Sequence, residues 1–214
     1  MCKTAVIICN GAFPRSEYPR YLISSADIIV CCDGALQTLE KHSIVPNVVI
    51  GDFDSVCGRA LRRFSGIVVK DSDQETNDLT KAFRYVMANI PDLGCIHIIA
   101  GTGRREDHTI GNMSLLMEYE KEYRLSERDI KVDMVSDFAT IFAVGGNCSF
   151  QAGQGRSVSI FCPDPSVRIH SEGLVWPTDN VVFDNWWKAT LNKAAGDEVS
   201  LSFNHPSPAL IVLD

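Results

Sequence analysis

The stretch Gly51-Asp52-Phe53-Asp54-Ser55 follows three apolar residues, Val48, Val49 and Ile50, and sets two carboxylates one residue apart. Like charges at that spacing repel. The pair is therefore either a turn made of turn-forming residues or a place where a divalent cation offsets the repulsion. Other acids stand at comparable places: Asp33 after IIVCC, and Asp71 and Asp73 after IVVK. Asp78 falls in the first turn of a helical pattern, where a carboxylate also complements the helix dipole. If the apolar runs are strands of a parallel sheet, their carboxyl ends share one edge, where open α/β folds bind ligands. Acids far apart in sequence then converge. Carboxylate oxygens with no His or Cys pair nearby suit Mg²⁺ better than zinc. Because Mg²⁺ commonly bridges carboxylates to phosphate, a pyrophosphate-bearing substrate is expected.

A second chemical stretch is AGTGRREDHTIGN, residues 100–112, after the strand-like CIHII. Gly101 and Gly103 let the backbone turn close to a ligand, and a helix is expected to begin near Asp107. The stretch is not a dinucleotide fingerprint, because Glu106 stands where the third glycine belongs, and no Walker A sequence occurs in the chain. Arg105 has a planar fork suited to phosphate. Asp107 can orient a side chain or cap the helix. His108 alone reads as a structural hydrogen-bonding residue, and Asn112 can face either ligand or sheet.

The elements that must position these groups come in two textures. Through the first two thirds, TAVIICNG, DIIVCCDG, NVVIGDFD, GIVVKD, CIHIIAG and IKVDMVSD read as strands buried on both faces. They alternate with ALQTLEKHS, GRALRRFS and NDLTKAFRYVMANI. The last carries Leu79, Ala82, Phe83, Val86, Met87 and Ile90 at helical spacing, with Thr76 placed to cap it. This alternation predicts a Rossmann-like α/β domain over residues 1–138, a mostly parallel sheet with helices on both faces. From about Ala139 the runs TIFAVGGNCSF, RSVSIFCP, VRIHSEGLVW, VVFDNWWKATLN and EVSLSFN are short and broken by Gly, Pro and Asn. They predict an all-β sandwich over residues 139–214. Adjacent Trp186 and Trp187 would face opposite sides of a strand.

Composition limits the partners. The 214 residues are 45% hydrophobic with a formal charge of −7, which argues against general affinity for nucleic acid or anionic membrane. No apolar run approaches spanning length, and the start lacks a signal peptide's layout. The eight cysteines show no C-x-x-C pair. Cys9, Cys31, Cys95 and Cys162 read as buried reduced thiols of a cytoplasmic protein.

Taken in order, CDGA, GDFDS, DQETNDLTKA and GTGRREDHTIGN resemble the thiamine pyrophosphokinase family. The resemblance is closest over residues 31–112. It implies transfer of pyrophosphate from ATP to the thiamine hydroxyl, a Rossmann-like domain followed by a β-sandwich, and a homodimer whose active sites are shared between subunits. It implies Mg²⁺ on Asp52, Asp54 and Asp78, with Asp73 and Gln74 in support. Arg105 would stabilise the triphosphate, and Asp107 would hold Arg105 or the thiamine side. Asp33, Thr76, Lys81, Gly101, Gly103, His108 and Asn112 would complete the ATP side. Asp33 and Asp78 are both candidates for the base. SEGLVWP resembles the family's G-L-x-W segment, and KATLNKAAGD its S-T-S-N segment, which implies Trp176, Thr190 and Asn192 on the thiamine side. Ala189 and Leu191 replace serines there, and Arg104 replaces a glycine. By residue type alone, Trp176 would be a sandwich core residue and Asn192 a turn residue.

Two rivals come from other classes. DFDSV fits the D-x-D-x-[TV] nucleophile motif of a haloacid-dehalogenase-type phosphatase, and a non-catalytic nucleotide-sensing module would also carry a binding edge.

Overall fold

The computed structural model describes residues 2–54 and 58–214. Ser55 and Val56 of the DFDSV stretch lie outside them. The chain forms two compact units, Met1–Asn112 with Ile130–Asp137, and Met113–Asp129 with Phe138–Asp214.

The first unit runs β1 (Lys3–Ile8), α1 (Glu17–Ser25), β2 (Ile28–Cys32), α2 (Leu36–Lys41), β3 (Val48–Gly51), α3 (Gly58–Arg63), β4 (Ile67–Lys70), α4 (Asp78–Asn89) and β5 (Leu93–Ile99). α5 (Glu106–Tyr123) begins in it and passes into the second unit, and β6 (Lys131–Val135) returns to it. Every strand pairing in this unit is parallel, in the order β6-β5-β1-β2-β3-β4. Val- and Ile-rich runs give this result because both faces of the central strands are covered; Ala5 to Ile8 are wholly buried. The chain order reverses at β1, which has β2 on one side and β5 on the other.

Two local expectations change. β4 is not buried on both faces: it is the edge strand, with Ile67 56% and Val68 46% exposed. An apolar run states that a strand has cover but not on how many sides. Thr76 is not the cap of α4. Asn77 is, its side chain accepting the Thr80 N–H at 2.9 Å, while the Thr76 hydroxyl donates to Asp73 at 2.7 Å. Either residue type can cap, and the Asp73 carboxylate draws the threonine away.

The second unit contains β7 (Thr140–Val144), β8 (Cys148–Gln151), β9 (Ser157–Phe161), β10 (Ile169–Glu172), β11 (Ala189–Lys193), β12 (Glu198–Phe203) and β13 (Ala209–Leu213). They form two antiparallel sheets, β11-β9-β13-β7 and β10-β12-β8. Val158, Ile160, Ile211 and Leu213 of one sheet share a core with Ile169, Val199 and Leu201 of the other, which makes a sandwich. VVFDNWWKATLN is a strand only from Ala189. Trp186 and Trp187 lie in the turn before it, and both are exposed.

Candidate active site

The carboxyl ends of β2 and β3 and the start of α4 gather Asp33, Asp52 and Asp78 around Lys81. The Lys81 side chain is only 3% exposed, and its Nζ lies 3.7 Å from Asp78 and 4.0 Å from Asp52. Lys81 is one helical turn beyond Asp78, so both project from the same face of α4. Asp33 is 2% exposed; Oδ2 accepts the Phe53 N–H at 2.8 Å, and Oδ1 is buried without a hydrogen-bond partner. Asp52 Oδ1 accepts the Asp54 N–H at 3.1 Å.

These environments drive the acids apart. Burial raises the Asp33 and Asp78 pKa values, aided at Asp78 by the charge of Asp33. The Asp54 N–H, then Lys81 and the Gln74 side chain, lower that of Asp52. Burial thus moves two of the carboxyls up and the hydrogen bonds and Lys81 move the third down, an arrangement in which neighbouring acids differ in acidity.

The other sequence candidates divide. Asp54 is exposed and reaches the group through its backbone N–H. Asp73 turns to the Thr76 hydroxyl and to Arg84, 3.2 Å away, and the first of these contributes most to lowering its pKa. Among the described residues, no three His, Cys, Asp or Glu side chains are gathered as a metal centre. The Asp52, Asp54 and Asp78 ligand set is therefore not assembled in this structure, because the Lys81 ammonium lies beside Asp52 and Asp78 and Asp54 faces outward. The donor chemistry still suits a hard cation: three carboxylates against one ammonium leave net negative charge, and the orphan oxygen of Asp33 needs a partner.

Beside the acids, a cavity of about 330 Å³ opens at the switch point between β1 and β5. Its floor is Cys9-Asn10-Gly11 after β1 and Gly101-Thr102 after β5, and Asp78 lines it too. A Cβ on Gly11 would stand 2.3 Å from the carbonyl oxygens of both Ala100 and Thr102, so only glycine allows these two loops to meet. Gly103 has φ +88°. His108 lines the cavity and is exposed. Asn112 is buried and faces the loop: it donates to the Gly101 carbonyl at 2.8 Å and accepts from Asn77 at 3.0 Å. Arg105 grips Asp107 in a fork, with Nε 3.1 Å from Oδ1, and this arginine holds the exposed Asp107 carboxyl down to about 2.

Sequence reasoning missed two residues here. Arg104 donates to Asn10 Oδ1 at 2.7 Å and to the Asn10 carbonyl at 3.2 Å, and both residues line the cavity. The signal for Asn10 was available, since CNG ends β1 much as CDG ends β2.

The sandwich unit has a cavity of its own, about 250 Å³, rimmed by Trp176, Lys188, Thr190, Leu191 and Asn192. Trp176 is 56% exposed and is not a core residue. Asn192 is buried and holds the Trp176 backbone on both sides: Nδ2 donates to its carbonyl at 2.6 Å and Oδ1 accepts its N–H at 3.2 Å. Thr190 donates to the Trp187 carbonyl at 2.8 Å.

A parallel sheet with carboxylates and a polar cavity at its switch point, joined to a sandwich with an aromatic-rimmed cavity, defines an α/β protein with two ligand-sized sites. The chain belongs to the thiamine pyrophosphokinase family. Residues 19–126 match the family's catalytic domain and residues 140–206 its substrate-binding domain. Thiamine pyrophosphokinase 1 of Oryza sativa subsp. japonica is 27% identical over 205 residues, covering 82% of this chain and 74% of the rice protein. Thiamine pyrophosphokinase of Bacillus subtilis is 30% identical over 140 residues, covering 62% and 60% of the two chains. The fold is shared with the crystal structure of the Bacillus subtilis thiamine pyrophosphokinase, at a TM-score of 0.77, 20% identity and 99% coverage of both chains. It is also shared with the yeast thiamin pyrophosphokinase, at 0.74, 15% identity, and 100% and 86% coverage. Neither the phosphatase nor the sensing module finds support in these likenesses.

Proposed function

We propose that the protein is a thiamine diphosphokinase: it transfers pyrophosphate from ATP to the hydroxyl of thiamine and releases AMP. The observation that carries this reading is the gathering of Asp33, Asp52, Asp78 and Lys81 beside the switch-point cavity, in a chain that matches both the catalytic and the substrate-binding domain of the family. The α/β unit would take ATP and the sandwich unit thiamine.

Attack at the β-phosphorus requires the terminal diphosphate to be gripped, and positioning with electrostatics dominates such transfers. Asp52 and Asp78, with the unpaired oxygen of Asp33 and with Asp54 from the same loop, would hold Mg²⁺, which when bound neutralises phosphate charge. Lys81 supplies a fixed positive charge between Asp52 and Asp78 and keeps both carboxylates oriented. Gln74 orients Asp52. Arg105, aligned by Asp107, offers its remaining N–H groups to phosphate oxygens. Of the two candidate bases, Asp33 is closed off, while Asp78 is 43% exposed; because a carboxylate that holds a cation is a poor base, the role proposed for Asp78 is that of ligand.

The working protein is proposed to be a cytoplasmic homodimer whose sites combine the acids of one subunit with the Trp176 face of the other. No helix among the described residues is long and apolar enough to cross a membrane. AMP release from ATP, measured with and without thiamine, tests the reaction. Thiamine-dependent AMP is expected; phosphate release independent of thiamine would replace this reading with hydrolysis.

A further inference from the structure

β5 and β6 carry a second chemical group, running from near the amino end of β5 to the middle of both strands. Cys95 and His97 are two residues apart on β5, so both side chains stand on one face, and Asp133 of β6 is the register partner of His97. His97 Nδ1 lies 2.6 Å from Asp133 Oδ1. Cys95 Sγ lies 3.4 Å from His97 Nε2 and 3.9 Å from Nδ1, beside the ring edge nearer Nε2. Cys95 is half-buried, in contrast to Cys9, Cys31 and Cys162, which the fold encloses. The order thiol, imidazole, carboxylate is that of an activated nucleophile, its base and the group that orients the base.

We infer that Cys95, His97 and Asp133 form a reactive-thiol site at which Cys95 undergoes exchange with low-molecular-weight disulfides. Burial alone would lower the His97 pKa, but the hydrogen bonds to Asp133 and Cys95 and their charges outweigh it and push it up to about 10. The ring is then an imidazolium at neutral pH, and it sets a positive charge 3.4 Å from the Cys95 sulfur, where it can stabilise charge that develops as the sulfur reacts. Lys131, the register partner of Cys95, adds positive charge at the same end of β6. In the exchange, Cys95 Sγ attacks one sulfur of the disulfide. A new S–S bond forms as the old one breaks, and the departing thiolate takes a proton from solvent. Cys95 is oxidised and the released half of the reagent is reduced. Neither of the two cavities includes Cys95, which suits modification by a small reagent rather than turnover of a bound substrate. Gly101, in the loop after β5, lies six positions beyond Cys95, roughly 20 Å at the rise of an extended chain.

Exposed Cys2 serves as an internal reference. The full chain is treated at pH 6.5 with 2-hydroxyethyl disulfide, and separately with iodoacetamide, and each site is followed by peptide mass spectrometry. With the His97 imidazolium beside its sulfur, Cys95 is expected to react about tenfold faster than Cys2, which has no such neighbour among the contacts described. His97→Gln should remove that advantage and leave Cys2 unchanged. In urea the two should react alike. Cys95→Ser should keep full thiamine-dependent AMP release. Native Cys95 reacting no faster than Cys2 overturns the assignment, whether or not His97→Gln folds; so does fast Cys95 reaction persisting in a folded His97→Gln variant. Pyrophosphate transfer is read separately, so failure here does not touch the proposed enzyme activity.

Discussion

The Asp33 carboxylate accepts the Phe53 N–H at 2.8 Å, which ties the end of β2 to the loop after β3. That bond makes CDGA and GDFDS one construction. Gly51 is part of it, since a Cβ there would fall 2.5 Å from Asp33 Cγ. Phe53 has φ +66°, an unusual conformation for a residue with a side chain, and its N–H points at the acid. Gly51→Ala is therefore expected to destabilise the fold by about 1–3 kcal/mol through overpacking and to displace Asp33, measured by denaturant melts beside activity. A stable, active Gly51→Ala variant would show that the carboxylate moves aside freely.

Asp33 also gives a pH prediction with a definite sign. Its pKa is raised on folding, so the native state binds the extra proton, and its contribution to stability declines as pH rises from the unfolded value near 4 through the folded one. Asp33→Asn should lack that decline. It should be at least as stable as the parent at pH 7 while losing pyrophosphate transfer. Thermal melts of both proteins from pH 4 to 8 isolate the residue by difference. A variant clearly less stable at neutral pH would mean that the charge on Asp33 is held by more than the structure displays.

Mg²⁺ is tested directly. Chelation should abolish thiamine-dependent AMP release and added Mg²⁺ restore it. Asp52→Asn, Asp54→Asn and Asp78→Asn should each lower kcat by about a thousandfold, equivalent to roughly 4 kcal/mol, with the fold intact. Asp54 is the discriminating case because it is exposed and touches the group only by its backbone N–H in the contacts described. Near-normal activity in Asp54→Asn would reduce GDFDS at that position to a turn.

Much of this was legible in the sequence. Apolar runs ending in acids located the carboxyl edge, because a parallel sheet leaves strand ends no other place to converge. The ordered motifs singled out Lys81, which lies beside Asp52 and Asp78, and Arg105, which lines the switch-point cavity. What periodicity does not carry is depth and partner choice. It did not show that β4 is an edge strand, that Asn77 rather than Thr76 caps α4, or that Asn192, at the rim of the sandwich cavity, braces the backbone of Trp176. Nor did it mark ALIVL as β13, a strand with neighbours on both sides, since the last residues of a chain read the same whether they fray or dock.

The Arg105–Asp107 fork should be insensitive to pH over the working range. Asp107 is held near 2, so its part in the pair is present above the unfolded value and is lost only as pH falls toward 2. The KM for ATP should not change between pH 5 and 9 on account of this pair. Arg105→Lys should raise it about tenfold, because an ammonium cannot serve Asp107 and phosphate in one plane. Thiamine KM should stay within twofold. Steady-state kinetics with each substrate varied separates the two ligands, and a shift confined to thiamine would move Arg105 to the other side of the reaction.

The sandwich cavity carries the last prediction. Asn192 clasps the Trp176 backbone with both its donor and its acceptor, which leaves the indole 56% exposed at the cavity rim. Asn192→Ala leaves the carbonyl and N–H of Trp176 without these partners, and should raise the KM for thiamine severalfold while sparing that for ATP. If the site is shared between subunits, Asp54→Asn and Trp176→Ala damage different halves of it. Each variant alone should be inactive or weak. On mixing under conditions that permit subunit exchange, one site of a heterodimer collects both lesions and the other neither. Activity should then return in proportion to the heterodimer, whose formation is followed by native mass spectrometry. Verified heterodimers with no recovered activity would place both halves of the site within one chain, because every site in the mixture would still carry a lesion.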